Sequence, residues 1–290
     1  KVFAAEATGV KISKLHPRIS TTAHWLWSLY FLLTASCTVA YFLCGMSLWD
    51  AVNHALATLA TGGFSTHTES IGWFNSPAIE YVAILFMWTA SVNFSLTYLL
   101  LVKRRVRQVF RDTELRAYIT VFLMATVLLA ISYALANVDF SQFSLTREGL
   151  LRFLSNAEES VRSGLFQAVS LQTTTGFTKH DIMAWPSFCW MVVILICFCG
   201  GCSGSTSGGV KVVRLVFVAK IVHNEFLRIL HPRAVLPIRL GEETVEHAVV
   251  RSAVAYLFLY VVLLFLGATC MLLMDFSVLD AFGLTLSSLS

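Results

Sequence analysis

The chain has 290 residues, 57% of them hydrophobic and only 13% charged, with 22 Phe and a formal net charge of +4. That balance excludes an ordinary soluble domain, where charged residues make up about a quarter of the chain. The small positive excess does not point to a nucleic-acid partner, because membrane topology accounts for the basic residues.

The chain begins with Lys and carries no n-region, apolar region and cleavage site, so no signal peptide is read. Trp25–Gly45 is the first uncharged apolar window, and Tyr81–Val102, Ala117–Val138 and Ser252–Met274 follow. Each is long enough to cross a hydrocarbon core of about 30 Å as a helix. A fifth window, Ile182–Val210, starts as a helix, "SFCWMVVILICFC", and then fails at "GGCSGSTSGG". The expected fold is an all-α, polytopic membrane protein. The closing "DAFGLTLSSLS" stops without a helix end or polar tail, which reads as part of something longer.

Basic residues set the orientation. The link 103–116 holds Lys103, Arg104, Arg105, Arg107, Arg111 and Arg116; the segment 211–251 holds Lys211, Arg214, Lys220, Arg228, Arg233, Arg239 and Arg251. Met46–Tyr81 has neither Lys nor Arg. With the basic links inside, Trp25–Gly45 runs outward, Tyr81–Val102 inward, Ala117–Val138 outward, the region after Pro186 inward and Ser252–Met274 outward. Docking of a cytoplasmic partner on the basic links is the secondary reading.

Between outward and inward helices lie apolar pieces too short to span, "LWDAVNHALATLA" and "VRSGLFQAVSLQT", which read as re-entrant half-helices. Each leads into a Thr–Gly motif, "TLATGGFS" or "LQTTTGFT". Superposing Gly63 on Gly176 pairs Thr61 with Thr174, Phe64 with Phe177, His54 with Gln167 and His67 with His180. "SVLDAFGLTLSSLS" matches "SLWDAVNHALATLA" without a gap, placing Asp280 on Asp50. This is an internal repeat of helix, half-helix and helix.

A Gly–Thr cluster can be a plain extracellular turn. Non-helical backbone at membrane depth, however, must be buried in protein or line a wet cavity. Extended Thr-x-Gly-Phe after a half-helix exposes a row of carbonyl oxygens, uncharged ligands able to replace the hydration shell of K⁺. Gly supplies positive φ without a Cβ penalty. The following Phe is expected to wedge the strand against its half-helix. Several copies around an axis are needed to coordinate one ion.

"TGGFSTH" after "HALATLA", "TTTGFT" after "LFQAVSLQ", "RISTTAHWLW" and "GGCSGSTSGGVKVVR" resemble the Trk/Ktr/HKT superfamily of K⁺ transporters, most closely the bacterial TrkH family. The resemblance covers essentially the whole chain. It implies M1–P–M2 units, K⁺-channel-like, with re-entrant pore helices and extended filter segments. On that map 1–24 is the cytoplasmic tail of a preceding repeat and 25–102 is repeat two. Residues 103–116 form a basic cytoplasmic link, and 117–222 is repeat three with a broken second helix. Residues 223–246 form another link, and 247–290 begins repeat four. The filter positions carry over to Thr61, Gly62, Gly63, Thr174, Thr175 and Gly176, with Phe64 and Phe177 as supports. K⁺ would meet carbonyls at Thr61, Gly62, Thr174 and Thr175. K⁺ is the transported ion, and no organic cofactor is expected in this chain. The resemblance further implies a bacterial inner-membrane location amid lipid, a homodimer, and a cytoplasmic nucleotide-binding regulatory ring. It gives no nucleic-acid partner and no enzymatic activity.

The Gly-rich break lies, by topology, within the membrane on the cytoplasmic side. Five Gly within Gly200–Gly209 cannot hold a helix when each costs about 1 kcal/mol. Such backbone should line a cavity, and in the resembling family this loop blocks the pore. Gly200, Gly201, Ser203, Gly204, Ser205, Thr206, Ser207, Gly208 and Gly209 are therefore assigned as a flexible gate. A cytoplasmic linker is disfavoured by the lack of charge before Lys211, and the P-loop pattern is absent. An intramembrane protease with Ser203 as nucleophile needs a facing His, and His247 sits at a span edge. An alternating-access transporter generally has inverted repeats, whereas these run in one direction.

The remaining polar residues take plainer readings. Asn93 is expected to hydrogen-bond between helices, and Asp50 and Asp280 to cap their half-helices. Trp25, Trp27, Trp73 and Trp185 read as an interfacial belt. His54, His67 and His180 read as polar packing at the outer face. Among the seven Cys, most lie in apolar windows as small hydrophobes. Cys197, Cys199 and Cys202 are close together but lack a neighbouring His, so a metal cluster is disfavoured.

Overall fold

The structure, a computed structural model, describes residues 19–137, 147–180, 185–231, 233, 236–241 and 243–290. Among these, the chain opens with α1 (Ile19–Leu43), α2 (Leu48–Leu59) and a short 3₁₀ turn (Ser70–Phe74). α3 (Pro77–Ser91) and α4 (Phe94–Leu101) follow, and α5 (Val106–Val109) lies in the basic link. Then come α6 (Thr113–Asn137), α7 (Arg147–Gln172), α8 (Ser187–Cys199) and α9 (Val212–Leu230). A two-residue hairpin, β1 (Arg239–Leu240) and β2 (Glu243–Thr244), precedes α10 (His247–Leu272) and α11 (Val278–Leu289).

Among the described residues, three helices are long and apolar enough to cross a membrane, over Ala23–Leu43, Thr113–Leu135 and His247–Leu272. Their outer faces carry exposed Trp27, Phe31, Leu128 and Phe258, which suits lipid contact rather than water. Trp185 departs from the expected aromatic belt: it is buried, its ring packed on Tyr133 at 5.2 Å.

Two segments differ from the sequence expectation. Tyr81–Val102 is not one inward helix, because α3 and α4 meet at an angle of 110°. Asn93 makes the break: its Oδ1 accepts from the Ser95 N–H at 2.8 Å and starts a new helix. Its side chain caps its own turn, where a bond between helices was expected, and lies beside Gly204. The second half-helix, in turn, is not a dozen residues long but the end of the 26-residue α7. No Pro interrupts "REGLLRFLSNAEESVRSG", so the helix simply continues.

The half-helix starts are alike. Ser47 accepts from the Asp50 N–H at 3.1 Å and donates to Asp50 Oδ2 at 2.7 Å. Ser277 does the same with Asp280 at 3.2 and 2.7 Å. The capping residues are thus the serines, with the aspartates at the third helical position, a correction to the sequence reading. It is like a capping box, except that each aspartate accepts from the serine hydroxyl and not from the serine backbone N–H. The same geometry in α2 and α11 supports the repeat.

The chain divides into two compact units. One comprises residues 30–91 and 120–197, with a core of Tyr41, Leu59, Ile71, Met87, Leu129, Phe166 and Phe177. The other comprises residues 1–29, 92–119 and 198–290. In it, Val213 and Phe217 of α9 pack with Ala253 of α10 and with Ile238 and Leu240 of the hairpin. The Arg214 guanidinium lies 3.6 Å over the Tyr256 ring, a cation–π contact. α10 and α11 pack closely, with Phe265 edge-on to Phe282 at 5.7 Å.

Candidate ion-conduction site

Both Thr–Gly motifs leave their helices in the same way. At the end of α2, Thr61 N–H donates to Thr58 O at 3.2 Å and Gly62 N–H to Ala57 O at 2.8 Å. At the end of α7, Thr174 N–H donates to Leu171 O at 3.1 Å and Thr175 N–H to Ser170 O at 3.0 Å. The backbone then alternates. Thr61 and Gly63 have φ of 51° and 65°, and Thr174 and Gly176 have φ of 55° and 81°, while neither Gly62 nor Thr175 is left-handed. Alternation of φ sign between neighbouring residues belongs to neither a regular helix nor a regular strand. A β-branched residue at positive φ is a costly outlier, worth about 1–3 kcal/mol, and such strain concentrates at functional sites.

The first motif is braced from behind. Thr58 donates to His54 O at 2.6 Å and so receives the Tyr41 hydroxyl at 2.9 Å. His54 is fully buried, in the polar packing expected of it. Its Nδ1 donates to Asp50 O at 2.8 Å, which leaves Nε2 to accept from the Ser65 hydroxyl at 2.9 Å. The Asp50 carboxyl is held below the usual carboxylate range by hydrogen bonds from Thr66 and Ser47. His67 stacks on Trp73 at 4.7 Å.

The second motif is braced by Ser170, whose hydroxyl donates to Phe177 O at 2.6 Å. Thr173 and Thr175 hydroxyls lie 2.7 Å apart. Phe177 is fully buried and its ring stacks on His54 at 5.9 Å. Phe64 departs from the expected wedge: it is 81% exposed, and its ring lies by Gly62 instead of against α2.

The two motifs touch. A Cβ placed on Gly63 would fall within the Thr175 carbonyl group, so the backbones approach as only glycine permits. Beyond them, Gly72 N–H donates to Thr178 O at 3.3 Å and Thr178 N–H to Ser70 Oγ at 3.3 Å.

Beside this exit lies a buried charge cluster that the sequence reading missed. Glu80 of α3 pairs with Arg162 of α7, and Lys179 Nζ reaches the same Glu80 oxygen at 2.9 Å. Arg162 also pairs with Glu158 at 2.9 Å, and Tyr81 donates to Glu158 at 2.8 Å. Arg162 foremost holds the Glu158 carboxyl below its usual range. Burial, and then the Lys179 charge, lowers the His180 pKa. The i,i+4 spacing of Glu158 and Arg162 was visible in sequence. Glu80 and Lys179 carried no such signal.

In the other unit, residues 200–209 form a loop closed by hydrogen bonds. Its stem closes through Val210 N–H to Phe198 O at 3.3 Å and Val212 N–H to Gly201 O at 2.9 Å. Gly200, Gly204 and Gly209 take left-handed φ, and a Cβ on Gly200 would come within 2.5 Å of Gly208 O. The Ser205 hydroxyl donates to Cys202 O at 2.6 Å and lies 2.8 Å from that of Ser207. Lys211 Nζ donates to Ser207 O at 2.5 Å and to Ser205 O at 3.3 Å. Ser203 donates its hydroxyl to Glu114 at 2.7 Å, so it faces a carboxylate and not the histidine a nucleophile would need.

The family model described as "TrkH: Cation transport protein" matches residues 5–290. "Trk system potassium uptake protein TrkH" of Halomonas elongata is 35% identical over 266 residues, 91% of this chain and 52% of that protein. Its namesake in Escherichia coli K12 is 36% identical over 253 residues, 87% of this chain and 49% of that protein. The crystal structure of the potassium transporter TrkH from Vibrio parahaemolyticus superposes with a TM-score of 0.81 at 31% identity, covering 95% of this chain and 56% of that one. The chain thus spans about half the length of these relatives. With its Thr–Gly motifs, broken helices and match along nearly its whole length, this chain belongs to the TrkH family of cation transport proteins.

Proposed function

We propose that this chain forms part of a K⁺ uptake pathway in the bacterial inner membrane, acting by permeation and not by catalysis. The observation that carries the reading is the repeated backbone alternation: Thr61 and Gly63, and again Thr174 and Gly176, are left-handed around a residue that is not. Carbonyls of Thr61, Gly62, Thr174 and Thr175 then replace water around a dehydrating K⁺. Thr61 and Thr174 each take the left-handed position of a Schellman helix end, where glycine is usual; a β-branched residue kept there at a cost supports a functional cause. Residues 200–209 act as the gate. Its left-handed glycines and small side chains allow a second conformation within a few kcal/mol.

The family resemblance supports a homodimer docked on a cytoplasmic nucleotide-binding ring, and the relatives' names as potassium uptake proteins support potassium as cargo. An alternating-access mechanism is less favoured, because the repeats read from the sequence run in one direction, whereas such folds generally have inverted ones.

Rb⁺ uptake by a full-length transporter in cells lacking other K⁺ uptake tests both parts. Gly176→Ser is expected to reduce uptake sharply, and deletion within 200–209 to raise it. Unchanged uptake in both variants overturns the reading.

A further inference from the structure

The loop 200–209 is fastened by a carboxylate from outside it. Glu114, in the first turn of α6, is 4% exposed. Both its oxygens serve one loop residue: Ser203 N–H donates to Oε1 at 2.5 Å and the Ser203 hydroxyl to Oε2 at 2.7 Å. The next residue is held too, because Gly204 O accepts from Phe94 N–H at 3.1 Å at the bend between α3 and α4. These contacts all lie within one compact unit.

The loop's own composition makes such a fastening decisive. Between Gly200 and Gly209 the side chains other than Cys202 are hydrogen atoms or short hydroxyls, so packing contributes little to its position. Two hydrogen bonds from one loop residue to one buried side chain therefore bear on where the loop sits. The carboxylate also sits at a mechanically exposed place. Asp112 Oδ1 accepts from Leu115 N–H at 2.9 Å and starts α6, directly after the link that carries Arg104, Arg105, Arg107 and Arg111. A shift of that link displaces the first turn of α6, and Glu114 with it.

We propose that Glu114 is the latch of the gate, a positioning residue that holds Ser203 and the loop in the blocking conformation. Displacement of the first turn of α6 through the basic link releases it. The latch rests on the reading of residues 200–209 as the gate. A merely structural Glu114 predicts the opposite sign: losing a strut lowers flux, whereas losing a latch raises it while ion preference stays unchanged.

The test is Rb⁺ influx, with Na⁺ competition, into proteoliposomes holding the full-length transporter and no nucleotide. Glu114→Ala, Glu114→Gln, Ser203→Ala and a deletion within 204–207 are compared with wild type. Glu114→Ala and the deletion are expected to raise resting influx several-fold with the Rb⁺/Na⁺ preference kept. Glu114→Gln stays near wild type, since a carboxamide still accepts from the backbone N–H and can donate to the Ser203 hydroxyl. Ser203→Ala, which loses one of two bonds, falls between, and the Glu114→Ala/Ser203→Ala double variant is no faster than Glu114→Ala alone. If the deletion raises influx and Glu114→Ala does not, the gate stands and the latch is wrong. If the deletion changes nothing, the gate reading falls and the latch with it. Should Glu114→Ala fail to fold, Ser203→Ala decides, and wild-type influx there refutes the latch.

Discussion

The α-carbon of Gly63 packs against the carbonyl of Thr175, so that a single added methyl group on Gly63 would occupy the space of that carbonyl. One residue of the first motif thereby sets the position of an expected ion ligand in the second. Gly176 is different: it is equally left-handed, with φ of 81°, but a Cβ there meets nothing within 4 Å.

The two glycines should therefore fail differently. Gly63→Ala forces the two motifs apart and is expected to abolish Rb⁺ uptake and lower the yield of folded protein. Gly176→Ala meets only the left-handed penalty of about 1–2 kcal/mol, so the protein folds and uptake falls. Uptake assays with membrane yields as control check this, and equal effects of both would contradict it.

The Glu80 cluster predicts a large stability effect away from the carbonyls. Glu80→Gln removes the charged partner of Lys179 and one of the two of Arg162, and breaking a buried pair costs about 3–5 kcal/mol. Tyr81→Phe touches only the more exposed Glu158 and should cost about 1 kcal/mol or less. Thermal unfolding in detergent ranks the two.

Helix packing gives a third expectation. A Cβ on Gly164 of α7 would lie 2.5 Å from Ala130 N and 2.7 Å from Ala130 Cα of α6. Small residues let backbones approach this closely in membranes. Gly164→Ala should destabilise by about 1–3 kcal/mol, as overpacking does, and the melting temperature should fall accordingly.

Asp50 links the first half-helix to pH. Its pKa is depressed in the folded state by Thr66 and Ser47, so its contribution is present above the ordinary carboxylate value and is lost as pH falls through the lowered one. Asp50→Asn should thus lower thermal stability near pH 7, and the difference from wild type should vanish on acidification. Ser47→Ala should cost about 1 kcal/mol as the loss of a cap, and Ser277→Ala a similar amount.

Much of this was legible because it is local or periodic. Uncharged windows mark α1, α6 and α10, and the Gly-rich stretch ends α8 within a residue of Gly200. The "SLWD" and "SVLD" starts repeat, although the cap is the serine and not the aspartate. What was missed depends on partners distant in sequence. Glu80, Arg162 and Lys179 meet only after three elements pack, and Glu114 reaches Ser203 across 89 residues. The bend at Asn93 was hidden by an apolar run that reads as one helix, since hydropathy does not register a change of direction. Phe64 and Phe177 share a motif position, yet one is exposed and the other buried, because only Phe177 has the His54 ring to stack on.

The central claim is that the two left-handed Thr-x-Gly segments present carbonyls to an ion. Anomalous diffraction from crystals of the full-length transporter grown in Rb⁺ tests this most directly. The account predicts Rb⁺ density within coordination distance of the carbonyl oxygens of Thr61, Gly62, Thr174 and Thr175. Rb⁺ density elsewhere along the pathway, with none at these carbonyls, would contradict it.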